Sequence, residues 1–89
     1  MLSDRIRQQL YDAFEIDDLK IVDESHKHAG HAQSTGGHFK LFIISNYFEG
    51  KSLIDRHKAV YSAMGSMMKN EIHALSIKAV TPSEIDPTS

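Results

Sequence analysis

Between His38 and Ser45 the chain reads Phe39-Lys40-Leu41-Phe42-Ile43-Ile44, five large apolar side chains in six residues with no glycine or proline among them. The run is too short to cross a membrane, which takes roughly 18 to 20 residues. It reads instead as a strand over His38–Ser45, central in a sheet and covered on at least one face. In a chain of 89 residues, everything else must be arranged to cover that strand. One small domain follows, because a chain this short has material for only one core.

The flanking segments supply the cover. Ile6, Leu10 and Phe14 recur every four residues, with Ser3 as N-cap and Asp4 in the first turn, and predict an amphipathic helix. Leu19–Glu24 has the alternation and β-branched content of a strand. Ser25–Gly37 is a polar loop, longer than a hairpin needs, with His26, His28 and His31. Ser52 followed by Asp55 fits a capping box and opens a second helix. Its expected apolar stripe runs through Leu53, His57, Val60, Tyr61, Met64, Met67 and Met68, and Gly65 should break it into a long helix and a short one. Ile72–Val80 reads as the last strand, with His73, Leu75, Ile77 and Ala79 on one face. These boundaries give a domain over 1–82 and a flexible C-terminal tail over 83–89.

The order α-β-β-α-α-β predicts an α+β fold with a three-stranded mixed sheet and helices on one face. The first two strands, joined by a loop, should be antiparallel. The second and third, joined by helices, should be parallel. Parallel strands begin at the same end of a sheet, so His73 should lie near His38, on the edge from which the histidine-bearing loop also enters. Neutral imidazole is a good ligand for zinc, iron and copper, and convergence is what a metal site requires. Two plainer readings stand beside this one: loop histidines as solvated polar residues, and His73 and His57 as half-buried core histidines.

Composition narrows the function. The chain has no cysteine, so it builds no disulfide, thiolate nucleophile or Cys-ligated metal site by itself. No nucleophile elbow and no phosphate-cradling glycine loop is present, which argues against an enzyme. Net charge is −2, so bulk charge does not draw this chain to nucleic acid. A local basic face does exist: Lys51, Arg56, Lys58 and Lys69 oppose the single acid Asp55 between Lys51 and Lys69, and Lys51, Arg56, His57 and Lys58 form a candidate nucleic-acid surface. A solvated helix face explains the same charges.

Several segments together resemble the BolA family. They are Asp23-Glu24-Ser25, His38-Phe39-Lys40, Phe48-Glu49-Gly50, Arg56-His57-Lys58-Ala59-Val60-Tyr61 and Ile72-His73-Ala74-Leu75-Ser76-Ile77, in order, within a match from about Ile6 to Pro82. The resemblance implies the same α-β-β-α-α-β, KH-like topology. It also implies a protein that pairs with a monothiol glutaredoxin of the Cys-Gly-Phe-Ser type; alone, a monomer or weak homodimer is expected, and with no apolar run of membrane-spanning length the expected address is cytoplasmic. The pair would share a 2Fe–2S cluster with glutathione, and none is expected in the isolated chain. The ligands implied for this chain are His73 and, counting from Asp23-Glu24-Ser25, His28, with His31 and His26 as runners-up. The family has further been described as transcription regulators of stress response and cell shape, with the Arg56–Tyr61 helix meeting DNA.

Overall fold

The computed structural model describes residues 2–24 and 37–85. The elements are α1 (Leu2–Ala13), β1 (Asp18–Asp23), β2 (Gly37–Ile44), α2 (Leu53–Met64), α3 (Met67–Asn70) and β3 (Ile72–Val80). Short 3-10 turns cover Asn46–Phe48 and Pro82–Glu84. β2 is the middle strand, antiparallel to β1 and parallel to β3, as its apolar run required. The bounds of β3 are those expected, while β1 and β2 each begin one residue early.

Along β2 the pleat sorts side chains between two environments. Phe39, Leu41 and Ile43 are buried, Lys40 is exposed, and His38, Phe42 and Ile44 are partly covered. The buried set meets Ile6 and Leu10 of α1, Val60 and Met64 of α2, Met67 of α3 and Phe48 of the first 3-10 turn. Helices therefore cover one face of the sheet. Phe14, just past α1, stacks on Tyr47 with ring centres 4.7 Å apart and meets Phe48 edge-on at 5.4 Å, closing that end of the core.

Local signals locate the helices more reliably than they phase them. Ser52 caps α2, its Oγ accepting the Asp55 N–H at 3.1 Å. Gly65 ends α2 at φ +58°, a conformation that costs a side-chain-bearing residue, and α3 follows at once. The first cap differs from expectation, since Ser3 lies inside α1. The apolar stripe of α2 is also rotated from the expected one. Arg56, Val60 and Met64 are buried, whereas Leu53 and Ile54 are each 68% exposed and Tyr61 is 41% exposed. A charged residue occupies the position that a hydropathy pattern gives to an apolar one.

The C-terminal segment is a further correction. Thr81 is fully buried, and Pro82–Glu84 turns back onto the domain in a capping box between Thr81 and Glu84. Ser83 and Glu84 thus belong to the folded unit, although the expected tail began at 83; residues 86–89 of that tail lie outside the described residues.

Leu41, fully buried under the helices, sets a test of this packing. Leu41→Ala should cost about 2–5 kcal/mol in chemical denaturation, a large part of the roughly 4–13 kcal/mol available to a chain of this size. Lys40→Ala, one residue away on the other face, should stay within about 0.5 kcal/mol of the parent.

Candidate metal centre

Two backbone hydrogen bonds fix where residues 25–36 leave and rejoin the sheet. The Glu24 N–H donates to the His38 carbonyl at 2.7 Å, and the Gly37 N–H donates to the Glu71 carbonyl at 3.0 Å. Both anchors stand at the starting end of β2 and β3, because parallel pairing brings those starts together. There the register slips. Gly37 pairs with Ile72, but His38 pairs with Ala74, so His73 has no partner across the ladder. A bulge of this kind turns the side chains on its two sides to the same face. Accordingly Ile72 is buried and Leu75 packs against the core, while both His73 and Ala74 between them are exposed.

This corrects the reading of His73 as a half-buried core histidine sharing a face with Leu75 and Ile77. The bulge takes its imidazole off the core side and sets it beside that of His38, with ring centres 5.0 Å apart and planes tilted by 38°. Exposed imidazole is a donor type suited to zinc, iron and copper. Among the described residues no group of three or more His, Asp or Glu side chains could hold a metal ion, so further donors must come from elsewhere. His26, His28 and His31 lie outside the described residues. His57 is half-buried on α2, next to the core line of Arg56, Val60 and Met64.

The basic face of α2 is smaller than its sequence suggests. Arg56 is only 6% exposed. Its Nε donates to the Lys51 carbonyl at 3.0 Å, and one terminal nitrogen donates to the Ala79 carbonyl at 3.0 Å. Both terminal nitrogens grip Glu84, at 2.7 and 2.8 Å. A guanidinium committed in this way is withdrawn from any phosphate at the surface, which removes Arg56 from the candidate nucleic-acid set. Lys58 stays exposed, while Lys51 is half-buried with its Nζ 4.7 Å from the centre of the Tyr47 ring. These two lysines border a cleft of about 500 Å³ floored by Phe14 and Tyr47.

A family model described as BolA-like protein matches residues 10–84. The chain belongs to the BolA-like family. The match extends to Glu84, the residue that Arg56 holds. This BolA-like chain is 41% identical over 88 residues to SufE-like protein 1, chloroplastic/mitochondrial, of Arabidopsis thaliana, covering 91% of this chain and 24% of that protein. It is 41% identical over 85 residues to Protein BOLA1, chloroplastic, of the same plant, covering 90% of this chain and 53% of that one. It therefore spans about a quarter and about half of the length of these two relatives. With the DNA-binding transcriptional regulator BolA of Escherichia coli it shares 34% identity over 84 residues, covering 94% of this chain and 79% of the relative. The BolA domain of SufE1 from Arabidopsis thaliana superposes with a TM-score of 0.81 at 41% identity, covering 92% and 93% of the two chains.

The clasp between Arg56 and Glu84 carries a pH signature. The hydrogen bonds from Arg56, and next the Thr81 N–H, hold the Glu84 carboxyl down to about 2 from its ordinary 4.5. A carboxyl depressed on folding stabilises above its unfolded value, and that contribution is lost as pH falls through the folded one. Thermal melts between about pH 4.5 and 2 should fall more steeply for the parent than for Glu84→Gln. Parallel melting curves for the two across that window would show that the clasp adds nothing to stability.

Proposed function

We propose that this BolA-like chain is a non-enzymatic adaptor that binds a monothiol glutaredoxin and supplies imidazole ligands to a 2Fe–2S cluster shared with that partner and glutathione. The role is iron–sulfur trafficking or iron homeostasis in the cytoplasm. His73 and His28 are the proposed ligands, with His31 and His26 as alternatives to His28. The observation that carries the reading is the exposed His73 imidazole beside His38, at the edge where β1 ends and β2 begins. An imidazole serving only the core would be covered.

The donor chemistry is coherent. A chain without cysteine needs thiolates from its partner, here the glutaredoxin cysteine and glutathione. Neutral imidazole in place of thiolate leaves less negative charge on the cluster and raises its reduction potential. Imidazole also protonates near neutrality, so ligation through it loosens in mild acid. Such a site suits transfer or sensing better than permanent storage.

The test is co-expression with a monothiol glutaredoxin. A coloured heterodimer is expected, with a visible spectrum altered by His73→Ala and by His28→Ala. Because His73 is exposed, His73→Ala should melt within about 0.5 kcal/mol of the parent. An unaltered spectrum in the His73→Ala complex overturns the ligand assignment.

A second reading, a DNA-binding regulator of stress response and cell morphology, is favoured by the relative named DNA-binding transcriptional regulator BolA, at 34% identity. At α2 and the turn before it, that reading relies on Lys51, His57 and Lys58 without Arg56.

A further inference from the structure

The sheet face away from the helices carries an ordered arrangement of side chains. Register places Lys20 beside Phe42 and Phe42 beside Lys78, so one row across all three strands reads Lys-Phe-Lys. The adjacent row reads Val22, Lys40, Ser76. All three lysines are exposed, and Phe42 is partly so. Acids stand toward the two ends. Asp18 pairs across from Ile44 at one, and at the other Glu24 lies 3.8 Å from the Lys40 Nζ. The Lys78 Nζ lies over the face of the Phe42 ring, 5.8 Å from its centre. Lys40, Phe42, Ser76 and Lys78 border a shallow groove of about 240 Å³, with Leu41 and Ile77.

We propose that this open sheet face is a binding surface for single-stranded nucleic acid, with an unpaired base stacked on Phe42 and flanking phosphates held by Lys20 and Lys78. Charge complementarity and ring chemistry choose the occupant. A polyanion answers Lys20 and Lys78 on the two sides of one apolar centre, with Lys40 already beside Glu24, and among polyanions an unpaired nucleic-acid strand supplies flat rings at the spacing of its charges. The stacked base takes the place of the Lys78 ammonium group over the ring, and that group turns to a phosphate. An acidic peptide satisfies the lysines but leaves the phenyl face without a stacking partner. A duplex keeps its bases stacked on one another. Neighbouring strands lie about 4.8 Å apart, so Lys20 and Lys78 stand about 10 Å apart across Phe42 and their long side chains reach either side of a stacked base. The surface lies on the face of the sheet opposite α2, and the inference is independent of the glutaredoxin reading.

The experiment is fluorescence anisotropy of a labelled oligothymidylate of about twelve nucleotides, titrated with the whole chain at about 50 and about 200 mM salt. Binding is expected at the lower salt and weaker at the higher. The double variant Lys20→Glu, Lys78→Glu should weaken binding about tenfold or more and flatten the salt dependence by about 1.4 in log–log slope, the share of two phosphates on a single strand. Phe42→Leu, which keeps an apolar side chain, should weaken it about fivefold or more. Thermal melts of each variant establish that it is folded. No binding by the parent at the lower salt overturns the proposal, as does a folded Lys20→Glu, Lys78→Glu protein that binds like the parent. Loss of binding in Lys51→Glu, Lys58→Glu, with the sheet variants unaffected, moves the surface to the start of α2 and the turn before it and also overturns the proposal. Competition by polyglutamate equal to that of unlabelled oligothymidylate, together with an unaffected Phe42→Leu, identifies a bare cationic patch and rejects the stacking site.

Discussion

Parallel pairing of β2 with β3, interrupted once between Gly37 and His38, is the constraint from which the rest of the arrangement follows. Parallel neighbours cannot be joined by a tight turn, so α2 and α3 must intervene, and they cover the inner face. The same pairing brings the first residues of both strands to one end of the sheet, where the chain from β1 also rejoins it. A single slip in the ladder then decides what that end presents. Ile72 keeps its place in the core, and His73 is released from the core side to stand beside His38. With unbroken alternation from Leu75, the imidazole would face the helices.

A second constraint lies at the opposite end of β3. The Arg56 guanidinium is buried among α2, the Ala79 carbonyl and the Glu84 carboxylate. Desolvating a guanidinium is costly, and a close bidentate carboxylate with two carbonyl acceptors offsets that cost. Removing one partner leaves a charge without its complement, so the pair acts as a latch that makes the Thr81–Glu84 segment part of the domain. It also explains the rotated stripe of α2. Once Arg56 occupies the inner position, Val60 and Met64 follow it one and two turns on, and Leu53 and Ile54 are left in solvent.

Much of this was legible from residue order. The central strand announced itself through its apolar run, the crossover through the Ser52 cap and Gly65, and the mixed sheet through the order of elements. The nearness of His38 and His73 followed from parallel pairing alone. What escaped was phase. Strand periodicity assumes an unbroken alternation, and no local feature of Ile72-His73-Ala74 marks a bulge; its cause is a pairing with Gly37, distant in sequence. Helical periodicity scores arginine as solvated, and the carboxylate that permits its burial sits 28 residues away. Both errors share an origin. The deciding partner was non-local, and each affected a residue whose candidate role depends on which way it points.

The open sheet face shows how the chain copes with a limit of its size. Three strands carry two faces, and the described helices cover only one. Val22, Phe42, Ile44 and Val80 are partly covered, with no helix above them among the described residues. Lys20, Lys40 and Lys78 stand between them, and lysine stems can lie along apolar surface while their ammonium groups stay in water. That arrangement shields the apolar side chains of this face in part, and it also sets the Lys78 ammonium over the partly buried Phe42 ring. Charge that serves only solubility needs no particular order, and mixed signs would serve as well. Here the acids stand toward the ends, Lys40 lies beside Glu24, and Lys20 and Lys78 share the row of Phe42 on the two outer strands, the order that the proposed stacked strand uses.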